Sequence, residues 1–232
     1  MVDVAFHAQP GTVTAIVGPS GSGKTTIARL ISRFWDVDSG AVMVDGVDIR
    51  ELGTEQLMSR LSMVFQDVYL FDDSLIANIR VGRPDASDEE VFRAADLSGV
   101  TSIANRLGWH TPVGEGGRLL SGGERQRVSV ARALLKQAPI VLFDEATSAL
   151  DAENEANILA AMDELREQST FIVIAHKLDT IKSADQIVVL DEHGQVSQLG
   201  THSELSDVPG IYRHFWQQRK AASGWKISSG RD

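Results

Sequence analysis

The sequence predicts an α/β fold, a sheet of buried parallel strands interrupted by a mostly helical insert at about residues 67–137. Three observations carry that expectation. A glycine loop, Gly18-Pro19-Ser20-Gly21-Ser22-Gly23-Lys24-Thr25-Thr26, lies between a β-branched run and a helical pattern. Two continuous apolar runs, Ile140-Val141-Leu142-Phe143 and Phe171-Ile172-Val173-Ile174, read as strands buried on both faces of a sheet. Between Asp67 and about Gln137 the pattern changes to helices with polar connections.

Taken in order, residues 2–6 alternate as a strand does, and Gln9-Pro10-Gly11 turns them into Thr12-Val13-Thr14-Ala15-Ile16-Val17, a second strand. A fold whose first strand lies so close to residue 1 reads as the start of a domain inside a longer polypeptide. After the glycine loop, Ile27, Leu30, Ile31 and Phe34 fall at i, i+3, i+4 and i+7, one face of a helix. Asp38-Ser39-Gly40 stops it, and residues 41–46 form a strand ending in an Asp-Gly turn. Ser62-Met63-Val64-Phe65 is a short apolar run closed by Gln66. Ser87-Asp88-Glu89-Glu90 is a capping box, with Val91, Ala94 and Ala95 as the apolar face behind it. Residues 114–123 are a glycine-rich loop, and 124–136 a helix with Val128, Ala131, Leu134 and Leu135 inward. A further helix between the two apolar strands turns Ile158, Leu159, Met162 and Leu165 to one side. Residues 186–190 and 195–198, joined through His193-Gly194, read as a hairpin, and the tail beyond Trp216 as frayed.

Composition narrows the function. The 232 residues carry a formal net charge of −10, which argues against a protein that wraps nucleic acid, since phosphate neutralisation needs clustered Lys and Arg. Cysteine is absent, so disulfides, thiolate metal sites and Cys nucleophiles are excluded. No run approaches the roughly 18 apolar residues of a membrane helix, and residues 1–7 lack a signal-peptide pattern. Any membrane connection therefore runs through a partner or through sequence outside this chain.

Strand, glycine loop and helix together are the context of a phosphate-binding loop. Glycines let backbone N–H groups turn inward around phosphate oxygens, and the helix N-terminus adds partial positive charge. Lys24 can reach the outer phosphates and the Thr25 hydroxyl can ligate Mg²⁺. The apolar run at 140–143 ends abruptly in Asp144-Glu145, at the strand end where open α/β sheets bind ligands. Alone, two acids there would merely solvate a strand end. Beside a phosphate loop, Asp144 is placed to hold Mg²⁺ and Glu145 to orient and deprotonate an attacking water. Leu120-Ser121-Gly122-Gly123-Glu124 leads into a helix and reads either as an anion site or as a helix cap. His7, His110, His193, His202 and His214 read as surface residues.

In this order and spacing, the motifs resemble the nucleotide-binding domain of ATP-binding-cassette (ABC) transporters over nearly the whole chain. Residues 18–25 look like the Walker A motif, Gln66 like the Q-loop glutamine, and 120–124 like the signature motif. Residues 140–145 look like Walker B with its catalytic glutamate, Ser148-Ala149-Leu150-Asp151 like the D-loop, and His176 like the switch histidine. The resemblance implies a RecA-like P-loop NTPase core with a small, N-terminally truncated antiparallel β subdomain and an inserted α-helical subdomain. It divides the single domain into a core at 1–66 and 138–220, a helical subdomain at 67–137 and a tail at 221–232.

It further implies an ATPase using ATP and Mg²⁺, with Glu145, His176 and Gln66 catalytic and Thr25, Gln66 and Asp144 toward the metal. Two domains would face head to tail, each ATP lying between Gly18 to Thr26 of one and Ser121, Gly122, Gly123 and Glu124 of the other, with Asp151 at the seam. The implied partners are a second such domain and transmembrane domains, which would hold the chain at the cytoplasmic face of the cell membrane.

Residues 66–79 and Thr111-Pro112-Val113-Gly114-Glu115-Gly116-Gly117 resemble the coupling regions of exporter-type half-transporters, although Pro112 and Gly116 depart from the common pattern. The wording around Phe71-Asp72-Asp73 and the Trp-containing tail also look like half-transporters of iron–siderophore systems. The alternative is a soluble ABC ATPase of the chromosome- or ribosome-associated kind, but neither a long coiled coil nor a second cassette is visible. A P-loop kinase leaves Ser121–Glu124 unexplained.

The family's adenine-stacking aromatic, some 25 or more residues before the Walker lysine, has no counterpart before Lys24. Phe6 is the nearest aromatic and reads as a core residue. Lost stacking costs on the order of 1 kcal/mol. ATP should therefore bind this chain more weakly than a version extended by about thirty native upstream residues, and equal affinities in calorimetry would refute that expectation.

Overall fold

The computed structural model describes residues 3–144, 160, 162, 163, 165, 168–175 and 178–224. Chain order is β1 (Val13–Val17), α1 (Lys24–Ile31), β2 (Met43–Val44), β3 (Val47–Asp48), α2 (Thr54–Arg60) and β4 (Leu61–Val64). The helical stretch follows: α3 (Leu75–Arg80), α4 (Asp88–Leu97), α5 (Thr101–Leu107) and α6 (Gly122–Lys136). The chain then returns to the sheet with β5 (Ile140–Asp144), β6 (Thr170–Ile174), α7 (Leu178–Ser183), β7 (Gln186–Leu190) and β8 (Val196–Gly200). It closes with α8 (His202–Asp207) and α9 (Ile211–Gly224).

Six strands form one sheet in the order β4-β5-β6-β1-β7-β8, parallel except for β8. Both faces are buried, as the apolar runs at 140–143 and 171–174 require. Val13, Ala15, Val17, Val141, Phe143, Phe171 and Val173 face one core, completed by Leu75, Val91, Ile103, Val128, Ala131 and Leu135 from the helical stretch. Ile16, Leu142, Ile172 and Ile174 face the other, completed by Ile27, Ile31, Leu57 and Val44. Period-2 alternation sorts each strand between two apolar environments, so neither half of the pattern is polar.

Local chemistry sets most boundaries. Ser87/Glu90, Ser121/Glu124 and Thr201/Glu204 are reciprocal capping boxes that start α4, α6 and α8. Asp45 (φ 52°) and Gly46 (φ 76°) turn β2 into antiparallel β3, the two left-handed positions of a type I′ hairpin.

Four expectations need correction. Residues 3–8 are in no strand, although Val4, Phe6 and Ala8 alternate with exposed neighbours and pack on the second core. Phe34 lies outside α1, because Arg33 takes a left-handed turn (φ 53°). Its ring is half exposed and leans on Phe65, and Ala28 fills the face instead. The chain beyond Trp216 continues as helix to Gly224, so the tail division at 221 falls inside α9. His202 is half-buried between Tyr212 and Trp216, its Nδ1 2.7 Å from the Tyr212 hydroxyl, and burial lowers its pKa. The other four of those histidines are exposed.

The approach of α3 to α6 leaves no room at Gly82, where a Cβ would collide with the backbone carbonyl of Arg132. Gly82→Ala should destabilise the domain by about 1–3 kcal/mol. Urea unfolding checks this as a lowered midpoint at constant slope, and an unmoved midpoint would mean the two helices can separate freely.

Candidate functional site

Parallel pairing brings the carboxyl ends of β4, β5, β6 and β1 to one edge of the sheet. The glycine loop leaves β1 there, Asp144 ends β5, and Gln66 lies exposed two residues beyond Val64 of β4, which pairs with Phe143. The loop is tight. A Cβ on Gly18 would stand 2.8 Å from the Leu190 carbonyl oxygen and 2.9 Å from Ser22 Oγ. Gly23, the N-cap of α1, takes φ 91° and has no side chain to cap the helix's first N–H groups.

Four side chains define the site. Lys24 is buried, and its ammonium donates to the carbonyls of Gly18 (3.0 Å) and Pro19 (2.8 Å) across the loop. Ser22 Oγ is buried with no hydrogen-bond partner among the described residues. Thr25 Oγ1 donates to Asp144 Oδ1 at 3.2 Å, joining the start of α1 to the end of β5. Asp144 itself is buried.

These groups fit a phosphate chain with a hard cation. An unpartnered buried hydroxyl and an ammonium held on loop carbonyls are groups a phosphate oxygen would satisfy. Thr25 Oγ1 and Asp144 Oδ1 are adjacent hard oxygens of the kind Mg²⁺ takes. Among the described residues no group of three His, Cys, Asp or Glu could hold a metal alone. Mg²⁺ is commonly bound by one or two protein oxygens together with substrate phosphates.

Ser121, Gly122, Gly123 and Glu124 lie elsewhere, at the start of α6 in the helical stretch. The cap reading of this motif holds: Ser121 Oγ accepts from the Glu124 N–H (3.2 Å), and Glu124 Oε2 accepts from the Ser121 N–H (2.8 Å). Ser121 and Gly122 nevertheless remain exposed, at the positive end of a 15-residue helix. Burial pushes the Glu124 carboxyl up, but hydrogen bonds from the Ser121 N–H and the Arg106 guanidinium outweigh it and hold the group below the usual range.

Glu145, Asp151 and His176 lie outside the described residues.

Sequence reading missed a polar clamp behind Gln66. Gln126 of α6 is buried, and its Nε2 donates to the Phe65 carbonyl at 3.1 Å. Arg132, also on α6, donates to the carbonyls of Tyr69 (2.9 Å) and Asn78 (2.7 Å). Burial lowers its pKa to about 10. Buried Asn78 accepts from the Phe71 N–H (2.9 Å) and donates to the Phe71 carbonyl (3.1 Å). The signal available in the sequence was a polar residue on the apolar stripe Gln126-Val130-Leu134.

A family model described as ABC transporter matches residues 1–148. The chain is 48% identical over 217 residues to the ATP-dependent lipid A-core flippase of Legionella pneumophila (strain Paris), covering 93% of this chain and 37% of that protein. It is 48% identical over 228 residues to the mycobactin import ATP-binding/permease protein IrtB of Mycolicibacterium thermoresistibile, covering 97% of this chain and 39% of that protein. A solved bacterial Atm1-family ABC exporter with ATP bound superposes with a TM-score of 0.89 at 44% identity, over 93% of this chain and 38% of that one. The chain thus spans less than two fifths of each of these relatives.

Because the Glu124 pKa is depressed in the fold, its stabilising contribution is complete above the ordinary carboxylate range and is lost as pH falls through the folded value. Glu124→Gln should therefore be less stable than the unchanged chain at pH 7, with the difference shrinking away as pH falls through the lowered folded value. Urea midpoints measured across that range check it, and a difference that persists in acid would assign the effect to packing.

Proposed function

The chain belongs to the ABC transporter family, as an ATPase domain of its exporters with a RecA-like fold, and from that premise we propose how its residues divide the work. ATP lies with its phosphates in the loop from Gly18 to Thr26, Lys24 moving from the loop carbonyls to the outer phosphates. Thr25, Asp144 and Gln66 would hold Mg²⁺, which when bound would supply positive charge to the phosphates. The observation that carries this reading is the Thr25–Asp144 hydrogen bond beside a loop whose buried Ser22 hydroxyl has no partner among the described residues.

Hydrolysis needs a water in line with the β–γ bridge. Glu145, one residue beyond Asp144, accepts the water's proton as its oxygen bonds to the γ-phosphorus; the bond to the bridging oxygen breaks, leaving ADP and phosphate. Gln66 orients that water, and His176 contacts the γ-phosphate.

A single loop leaves the outer phosphate open on one side. The exposed start of α6 supplies the missing anion site when two domains stack head to tail, so that Ser121, Gly122, Gly123 and Glu124 of each copy close the other's nucleotide. Asp151 communicates across the seam. Residues 67–137 then act as a helical subdomain carrying this motif, against a core formed by 1–66 and 138–220.

ATP-driven closing and hydrolytic opening move transmembrane domains at the cytoplasmic face of the membrane. Among the described residues no helix is long and apolar enough to cross a membrane, so those domains come from elsewhere in the polypeptide or from a partner. The transport names of the relatives favour this reading over a soluble ATPase. A lipid A-core flippase and a mycobactin import protein match at the same 48%, so identity over this domain does not single out a siderophore cargo.

Glu145→Gln should elute as a dimer with Mg-ATP and as a monomer with Mg-ADP in size-exclusion chromatography. Lys24→Ala should stay monomeric and bind ATP about 10- to 100-fold more weakly, the range for a lost charge-assisted hydrogen bond. A Glu145→Gln variant that binds ATP yet remains monomeric would sink the composite site.

A further inference from the structure

We infer that Gln126 is a positioning residue for Gln66, an inference that rests on the proposed role of Gln66 in hydrolysis. The two side chains belong to different parts of the fold: Gln66 leaves the core strand β4, and Gln126 lies in α6. Gln126 is nevertheless buried, and its amide Nε2 donates to the Phe65 carbonyl oxygen at 3.1 Å.

The geometry of that bond gives it leverage. The Phe65 carbonyl and the Gln66 N–H share one rigid peptide plane, so holding the oxygen fixes the plane from which the Gln66 side chain departs. Farther along, Arg132 of the same helix holds the Tyr69 carbonyl at 2.9 Å. Helix α6 thus grips the segment on both sides of Gln66, while Gln66 and Asp67 themselves remain exposed.

The same helix begins at Ser121, five residues and about 7 Å of helical rise before Gln126. One rigid element therefore carries the anion site for a partner's nucleotide and the donor that orients Gln66 toward the chain's own. An apolar residue at 126 would fill the space but could not fix the plane.

The test is steady-state ATP hydrolysis by the unchanged chain, Gln126→Leu, Gln66→Ala and the double variant, with thermal melts to confirm folding. Gln126→Leu should lower kcat on the order of tenfold, as misplacing a catalytic group does, with KM for ATP nearly unchanged. On the Gln66→Ala background it should lower kcat less than about twofold, because the group it positions is gone. An equal loss in both backgrounds, or no loss in either, overturns the inference alone. If the unchanged chain hydrolyses no ATP, or Gln66→Ala is as fast as it, the reading of Gln66 fails and this inference falls with it.

Gln126→Glu keeps the test decisive if the leucine variant does not fold. A carboxylic acid can donate to the Phe65 carbonyl only when protonated, so this variant's kcat relative to the unchanged chain should rise as pH falls. A ratio flat with pH overturns the inference.

Discussion

Parallel pairing across β4, β5, β6 and β1 is the constraint on which the rest of the molecule depends. It sends every carboxyl end to one edge, with Asp144 opposite Ile174 and Ile174 opposite Ile16. The loop after β1 and the acid ending β5 then lie one strand apart, close enough for Thr25 to donate to Asp144. A parallel sheet also needs cover on both faces, since its strands cannot be joined by short hairpins and their connections must cross over. Helices α1 and α2 cover one face, and the helical stretch with α7 and α9 covers the other. The architecture that makes the site is thus the one that stabilises the core.

Features written in local chemistry were legible from the sequence. The capping box at Ser87, the helix cap at Ser121, the Asp45-Gly46 turn and the buried runs at 140–143 and 171–174 each depend on a few adjacent residues. The placement of Lys24, Thr25 and Asp144 at one edge of the sheet was legible because glycine spacing and strand context fix where those residues lie. What failed to be legible depends on distant neighbours. Phe34 fits the helical period of α1, yet the left-handed turn at Arg33 takes it out of the helix and onto Phe65. Residues 3–8 alternate as a strand does, but alternation records one buried face and says nothing of whether a ladder partner exists. His202 joins Tyr212 and Trp216 only because α8 packs on α9.

The clamp behind Gln66 belongs to the same class of hidden features. Gln126, Arg132 and Asn78 are scattered over more than fifty positions, and each alone reads as a polar residue on a helix. Together they satisfy the carbonyls of Phe65, Tyr69 and Phe71, which the turn from β4 into the helical stretch leaves without ladder partners.

Such a network is an expensive way to hold a loop. Burying an amide or a guanidinium costs several kcal/mol unless its hydrogen bonds are replaced, and an apolar contact of equal volume would cost less. Apolar surfaces, however, slide past one another with little penalty, because dispersion has no direction. Hydrogen bonds to named carbonyls have direction as well as distance, and moving α6 by one residue would break those of Gln126 to Phe65 and of Arg132 to Tyr69 and Asn78. The side chains on α6 therefore set the register between the helix that begins at Ser121 and the segment that carries Gln66. An apolar core fixes that the two parts pack, and the buried polar groups fix where.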